Sequence, residues 1–177
     1  MAEPVATIVG SGPNGLCAAI RLASEGFTVR VLESASTPGG GVRSGEIDEE
    51  GFVHDYCSAI HPMVCSSPYM RSLPLEEHGL EWIHSPIACA HPMDDQPTVL
   101  LHRSLDETAA GLNGDAKRYR SWLRPFVSRW DELCTDAMAP LGWPANPWLM
   151  TRFGWNALRT ARGLALQKFE GTRGRAL

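Results

Sequence analysis

Three glycines and one carboxylate are the residues best placed to do chemistry in this chain. Gly10-Ser11-Gly12-Pro13-Asn14-Gly15 has the spacing of a loop that brings bare backbone to a diphosphate, and Glu33 follows Gly15 by 18 residues. In such a loop the first glycine turns the chain and the second admits the pyrophosphate. The third lets a helix pack tightly on a sheet. The anion then sits at a helix N-terminus, where free N–H groups and the helix dipole favour negative charge. A carboxylate at the position of Glu33 accepts hydrogen bonds from ribose hydroxyls and repels a 2′-phosphate. The pattern predicts an adenine dinucleotide as ligand and disfavours NADP.

The elements needed to position these residues are legible on both sides. Val5-Ala-Thr-Ile-Val9 is β-branched and apolar, as a buried strand requires. Leu16, Ala19, Ile20 and Ala23 recur at helical spacing, and Gly26 marks the helix end. Thr28-Val-Arg-Val-Leu-Glu33 supplies the second strand. The predicted unit is strand, glycine turn, helix, strand.

A second glycine run separates FAD from NAD. Ser34-Ala-Ser-Thr-Pro38-Gly39-Gly40-Gly41-Val42-Arg43-Ser44 lies just past the ribose carboxylate. Consecutive glycines expose backbone N–H groups to a diphosphate or ribityl chain, and Arg43 adds a planar donor fork suited to phosphate. An NAD domain has no need of this segment.

Together with Gly51-Phe-Val-His-Asp55, these motifs resemble the amino-terminal FAD-binding region of phytoene-desaturase-like flavoproteins, within the broad group of NAD(P)/FAD-dependent oxidoreductases that includes the amine oxidases. The resemblance is dense over residues 5–62 and diffuse beyond, where Arg71-Ser-Leu-Pro74 and Leu80-Glu-Trp82 contribute. It implies FAD contacts at Gly10, Gly12, Gly15, Glu33, Gly40, Gly41 and Arg43. Ser11, Pro13, Asn14, Ser34 and His61 complete the expected cofactor-binding set. Where many carotenoid desaturases carry a Gly-Pro pair, this chain reads Tyr56-Cys57-Ser58-Ala-Ile-His61-Pro62. Polar side chains are thus expected near the flavin ring, with His61 facing flavin or substrate, and the substrate is left open.

The expected fold class is α/β: a Rossmann-like FAD-binding βαβ unit over residues 1–65, followed by an incomplete mixed α+β substrate domain over residues 66–177. A hairpin is predicted around Gly51, then loops and short helices punctuated by Pro62, Pro68 and Pro74. Glu81–His84, Ile87–His91 and Thr98–His102 read as strands. Ser104-Leu-Asp-Glu107 is a capping box that starts a helix, which Asn113-Gly-Asp115 ends. One helix is then expected from Ala116 to Ala137, with a kink near Pro125 and a core stripe of Trp122, Phe126, Trp130 and Leu133. Another is expected from Pro147 to Lys168, with Leu149, Phe153, Ala157, Ala161 and Leu164 on one side and Arg152, Arg159 and Arg162 on the other.

Composition narrows the remaining classes. An apolar fraction of 44% over 177 residues fits a globular chain, and the N-terminus enters the first strand without a signal peptide. A cytoplasmic location is expected. A net charge of −4 without a basic-aromatic stripe argues against nucleic acid. Residues 145–177 nevertheless hold six Lys or Arg against one Glu. That helix is read either as a substrate-domain element or as a peripheral contact with anionic membrane. Five cysteines without a C-x-x-C pair describe no disulfide framework. His54, Cys57, His61 and Cys65 lie within twelve residues, yet no metal is expected there.

The resembled family is longer than this chain, so a truncated amino-terminal portion with weak flavin retention is expected. The leading expectation is an FAD-dependent desaturase or dehydrogenase acting on a small apolar or amphipathic substrate by hydride transfer. The alternative is a non-catalytic dinucleotide-binding module or truncated remnant needing a partner polypeptide, and the expected partners are such a completing polypeptide or a homo-oligomer. No catalytic residue is assigned.

Overall fold

Two parallel strands and one crossover helix form the amino-terminal unit. β1 (Val5–Val9) pairs with β2 (Thr28–Leu32) in register from Val5 opposite Thr28 to Val9 opposite Leu32. α1 (Pro13–Ser24) connects them. Pro13 sits in the first turn of α1, where its missing N–H costs nothing and its fixed φ suits the helix. At the other end Gly26 adopts φ 86°. Gly26 N–H donates to Ala23 O (3.0 Å) and Phe27 N–H to Leu22 O (3.1 Å), the paired bonds of a Schellman stop. The helix end read from Gly26 is therefore present with its full hydrogen-bond pattern.

This is a computed structural model that describes residues 4–177, and it divides the chain into two units at Pro62/Met63. The first unit continues through the hairpin of β3 (Ser44–Glu46) and β4 (Val53–Asp55). Ser44 Oγ donates to Asp55 Oδ1 across its open end.

The second unit is mostly helical. α2 (Pro62–Ser66) begins at the boundary, and α3 (Pro68–Arg71) is capped by Ser67 Oγ, which accepts from Met70 N–H (3.4 Å). β5 (Ile87–His91) and β6 (Val99–His102) form an antiparallel pair with a bulge between Ile87 and Cys89. Glu81–His84 does not join them. That segment runs as irregular chain, with Ile83 88% exposed and Pro86 unable to donate to a ladder just ahead of β5. The expected three-stranded start of a sheet is a two-stranded one.

Ser104 caps α4 (Leu105–Ala110) as the capping box predicts, accepting from Glu107 N–H (3.3 Å). The expected single helix over 116–137 is two: α5 (Ala116–Val127) and α6 (Trp130–Met138). α5 absorbs Pro125, and the break falls at Ser128–Arg129. There Asp131 and Glu132 favour a new helix start through the dipole. The expected helix over 147–168 is likewise α7 (Pro147–Ala157) and α8 (Ala161–Lys168). Thr160 interrupts it by capping α8, its Oγ1 accepting from Gly163 N–H (3.1 Å). The continuous amphipathic face is lost, and Leu149 is buried while Phe153 is partly exposed. α9 (Thr172–Ala176) completes the unit.

Val99, Ala109, Leu112, Tyr119 and Phe169 form one core cluster, and Phe126, Leu133 and Leu149 a second. Of the expected aromatic stripe, Trp122, Phe126 and Leu133 pack there. Trp130 does not; it is 41% exposed and donates from Nε1 to Ser66 Oγ (2.8 Å). Buried Asp115 ties this core together by accepting from Glu170 N–H (3.1 Å) and Gly171 N–H (2.7 Å).

Candidate dinucleotide site

Gly10 leaves β1 with φ 90°, and its N–H extends the parallel ladder by donating to Leu32 O (2.7 Å). α1 begins directly above it. A Cβ on Gly15 would lie 2.2 Å from Gly10 O, so only glycine permits this approach of helix to turn. Leu16 N–H closes the first helical turn on Gly12 O (3.0 Å), and no side chain caps α1. The amides of Asn14 and Gly15 thus head a helix of three turns without a side-chain acceptor, the usual arrangement for holding an anion.

The second glycine run returns to the first. Gly39 N–H donates to Ser11 O (3.0 Å), and a Cβ on Gly40 would meet Gly12 Cα at 2.9 Å. Gly40 also holds φ 55°, so both its conformation and its contact exclude a side chain. Two stretches of bare backbone, far apart in sequence, therefore form one surface.

Glu33 points at the same loop. Its Oε2 accepts from Ser11 N–H (2.8 Å) and Ser11 Oγ (2.6 Å), and its Oε1 from Ala35 N–H (2.9 Å) and, more distantly, Ser34 Oγ (3.4 Å). The Ser11 hydroxyl, followed by the Ala35 and Ser11 amides, holds its carboxyl down at about 2, against an ordinary 4.5. Glu33 is an anion at every working pH. Its acceptor positions are at present taken by the chain's own donors.

That Ser11 bridges loop and carboxylate is not legible from its type, a small hydroxyl residue between two glycines. Ser11 is 3% exposed. Arg43 closes the second glycine run. Its Nε donates to Gly40 O (3.0 Å), which fixes the glycine turn, and no carboxylate pairs with it among the described residues.

The loop is braced from behind. Tyr56 N–H donates to Arg43 O (3.0 Å) and Ser58 N–H to Gly41 O (2.9 Å). Ser58 Oγ lies 3.4 Å from His61 Nδ1, so half-buried His61 connects to the loop through Ser58. Pro13 and Asn14 are exposed at the head of α1, and Ser34 is exposed beside Glu33. Among the described residues, no three His, Cys, Asp or Glu side chains are grouped as a metal ion requires.

Residues 8–73 match the family described as NAD(P)-binding Rossmann-like domain. The amino-terminal region is a Rossmann-like dinucleotide-binding unit. Thiamine thiazole synthase of Thermotoga maritima is 58% identical over 38 residues, covering 22% of this chain and 15% of that protein. All-trans-zeta-carotene desaturase of Myxococcus xanthus is 38% identical over 61 residues, covering 34% and 11%. Tetraacyldisaccharide 4′-kinase of Acidovorax sp. strain JS42 is 32% identical over 118 residues, covering 66% and 31%. The matched stretches span less than a third of each of these relatives.

Gly10 and Gly15 have the glycine spacing of a P-loop, but Leu16 and Cys17 stand where that loop needs Lys and Ser or Thr. The residues that would reach the terminal phosphates and a magnesium ion are missing. The site fits a dinucleotide diphosphate better than a triphosphate.

No helix among the described residues is long and apolar enough to cross a membrane.

Proposed function

We propose that this chain forms the FAD cradle of a flavin-dependent oxidoreductase of the desaturase or dehydrogenase type. The observation that carries the reading is the meeting of the two glycine runs at Gly12 and Gly40, with Glu33 aimed at the same loop. A domain for NAD alone would use only the first run and the carboxylate. The similarity of 61 residues to a carotene desaturase supports the same choice.

FAD bound here would supply a hydride acceptor for a substrate C–H bond. The chain's own residues hold and orient it. The Asn14 and Gly15 amides face the diphosphate. Glu33 would hold the adenosine ribose by accepting from its hydroxyls where it now accepts from those of Ser11 and Ser34. Gly40, Gly41 and Arg43 take the second approach to the diphosphate, with Arg43 anchored through Nε so that its terminal nitrogens are free to donate. His61, steadied by Ser58, lies on the segment expected near the flavin ring. Proton removal is assigned to no residue.

A second reading is a binding module without catalysis, completed by another polypeptide. Val5 and Val9 favour it, at 68% and 83% exposed on a parallel pair, because parallel sheets are ordinarily covered on both faces.

Reconstitution with FAD, gel filtration and a visible spectrum test the proposal. Flavin bands should travel with the chain and be lost in Gly15→Val. A colourless chain at saturating FAD would overturn the assignment. Flavin that binds but is never bleached by reducing apolar or amphipathic compounds would leave the module reading standing.

A further inference from the structure

Trp122 on α5 is the shared wall of two cavities of opposite character in the second unit. One, of about 500 Å³, is lined by Arg118, Arg152, Lys168 and Arg175, with Glu170 its one carboxylate. Arg118 is already paired with Glu170 and Asp115. Arg152, Lys168 and Arg175 have no carboxylate partner among the described residues. They are held by other means. Arg152 lies over the Phe126 ring at 5.6 Å, Lys168 Nζ over the Trp122 ring at 5.8 Å, and Arg175 Nε donates to Phe169 O (2.9 Å).

The other cavity, of about 620 Å³, is lined mainly by apolar side chains, among them Leu101, Tyr119, Leu123, Leu164 and Ala165. Trp122, Leu166, Phe169 and Arg175 belong to both linings. At that common wall the indole Nε1 of Trp122 is buried without an acceptor among the described residues. Native chains rarely leave such a donor unpaired, and a bound acceptor is one of the usual reasons.

Three uncompensated cations, an orphaned N–H and an adjoining apolar chamber define one ligand chemistry. We propose that these two cavities together bind a single-chain amphipathic anion, its oxyanion head among Arg152, Lys168 and Arg175 and its hydrocarbon chain against Leu123 and Leu164. Charge complementarity selects the head, since guanidinium and ammonium groups pair with carboxylate or phosphate oxygens by charge-assisted hydrogen bonds. Each of the two volumes lies in the range of small-molecule sites. The site lies wholly within residues 63–177 and does not depend on the flavin reading.

Calorimetric titration of the whole chain with dodecanoate, below its micelle concentration, tests this. Dodecanol and acetate serve as the uncharged and chainless controls, and each titration is run with and without FAD. Saturable binding of one dodecanoate per chain is expected, with both controls at least about tenfold weaker. Arg152→Gln combined with Lys168→Gln should weaken dodecanoate about tenfold and leave dodecanol unchanged. Circular dichroism checks that this variant folds, and the charge-preserving Lys168→Arg should keep most of the affinity. Equal binding of dodecanoate and dodecanol, or indifference to the double variant, would overturn the proposal. So would binding seen only with anionic vesicles, or no saturable binding at all.

Discussion

The two units hold themselves together by different means. In residues 4–62 the side chains of the parallel pair are largely exposed, and the buried residues are Ser11 and Ala19. Order there comes from backbone bonds and glycine contacts: Gly10 to Leu32, Gly39 to Ser11, Gly15 against Gly10. In residues 63–177 a packed apolar core does the work, with Phe169 between Tyr119 and Trp122 (ring centroids 6.3 and 5.8 Å). The contrast separates shape from stability. A loop that must present bare amides to a ligand cannot also bury large side chains, so its form is written in glycines and one carboxylate.

That contrast can be broken by core substitutions. Phe169→Ala should cost about 3–5 kcal/mol in denaturant unfolding of the second unit, the largest effect expected. A cost below about 1 kcal/mol would mean that the aromatic cluster is not the core it resembles. Asp115→Ala comes next. It leaves the Glu170 and Gly171 amides unpaired, at about 1–3 kcal/mol in the same experiment. Ser104→Ala removes a helix cap and should cost about 1 kcal/mol.

In the first unit the sharper readout is pH. Glu33 has a folded pKa of about 2, below its ordinary 4.5. Its contribution to stability is therefore present above pH 4.5 and lost as pH falls from there through about 2. Glu33→Gln should flatten the acid unfolding profile across that window while leaving the profile near neutrality parallel to that of the parent. An unchanged acid limb in Glu33→Gln would show that the bonds to Ser11 and Ala35 are not maintained in solution.

The same contrast explains what could be read from residues alone. The βαβ unit, the Gly26 stop, the hairpin at Gly51 and the Ser104 cap were legible because each depends on local chemistry within a few residues. The contact of Gly40 with Gly12 was not. A glycine run announces freedom of backbone but does not say which distant backbone it will touch. In the second unit, Ala157 and Ala161 kept helical phase across a break that the cap at Thr160 imposes, so periodicity alone joined α7 to α8. Glu81–His84 had the composition of a strand but lacked a partner, which composition cannot reveal.

Calorimetry of the chain with FAD, NAD and NADP, repeated on Glu33→Gln, tests the dinucleotide site most directly. FAD should bind most tightly and NADP most weakly. Glu33→Gln should weaken FAD and narrow the gap to NADP, because the charge that repels a 2′-phosphate has gone. NADP binding as tightly as FAD to the parent chain, or FAD affinity indifferent to Glu33, would contradict the account.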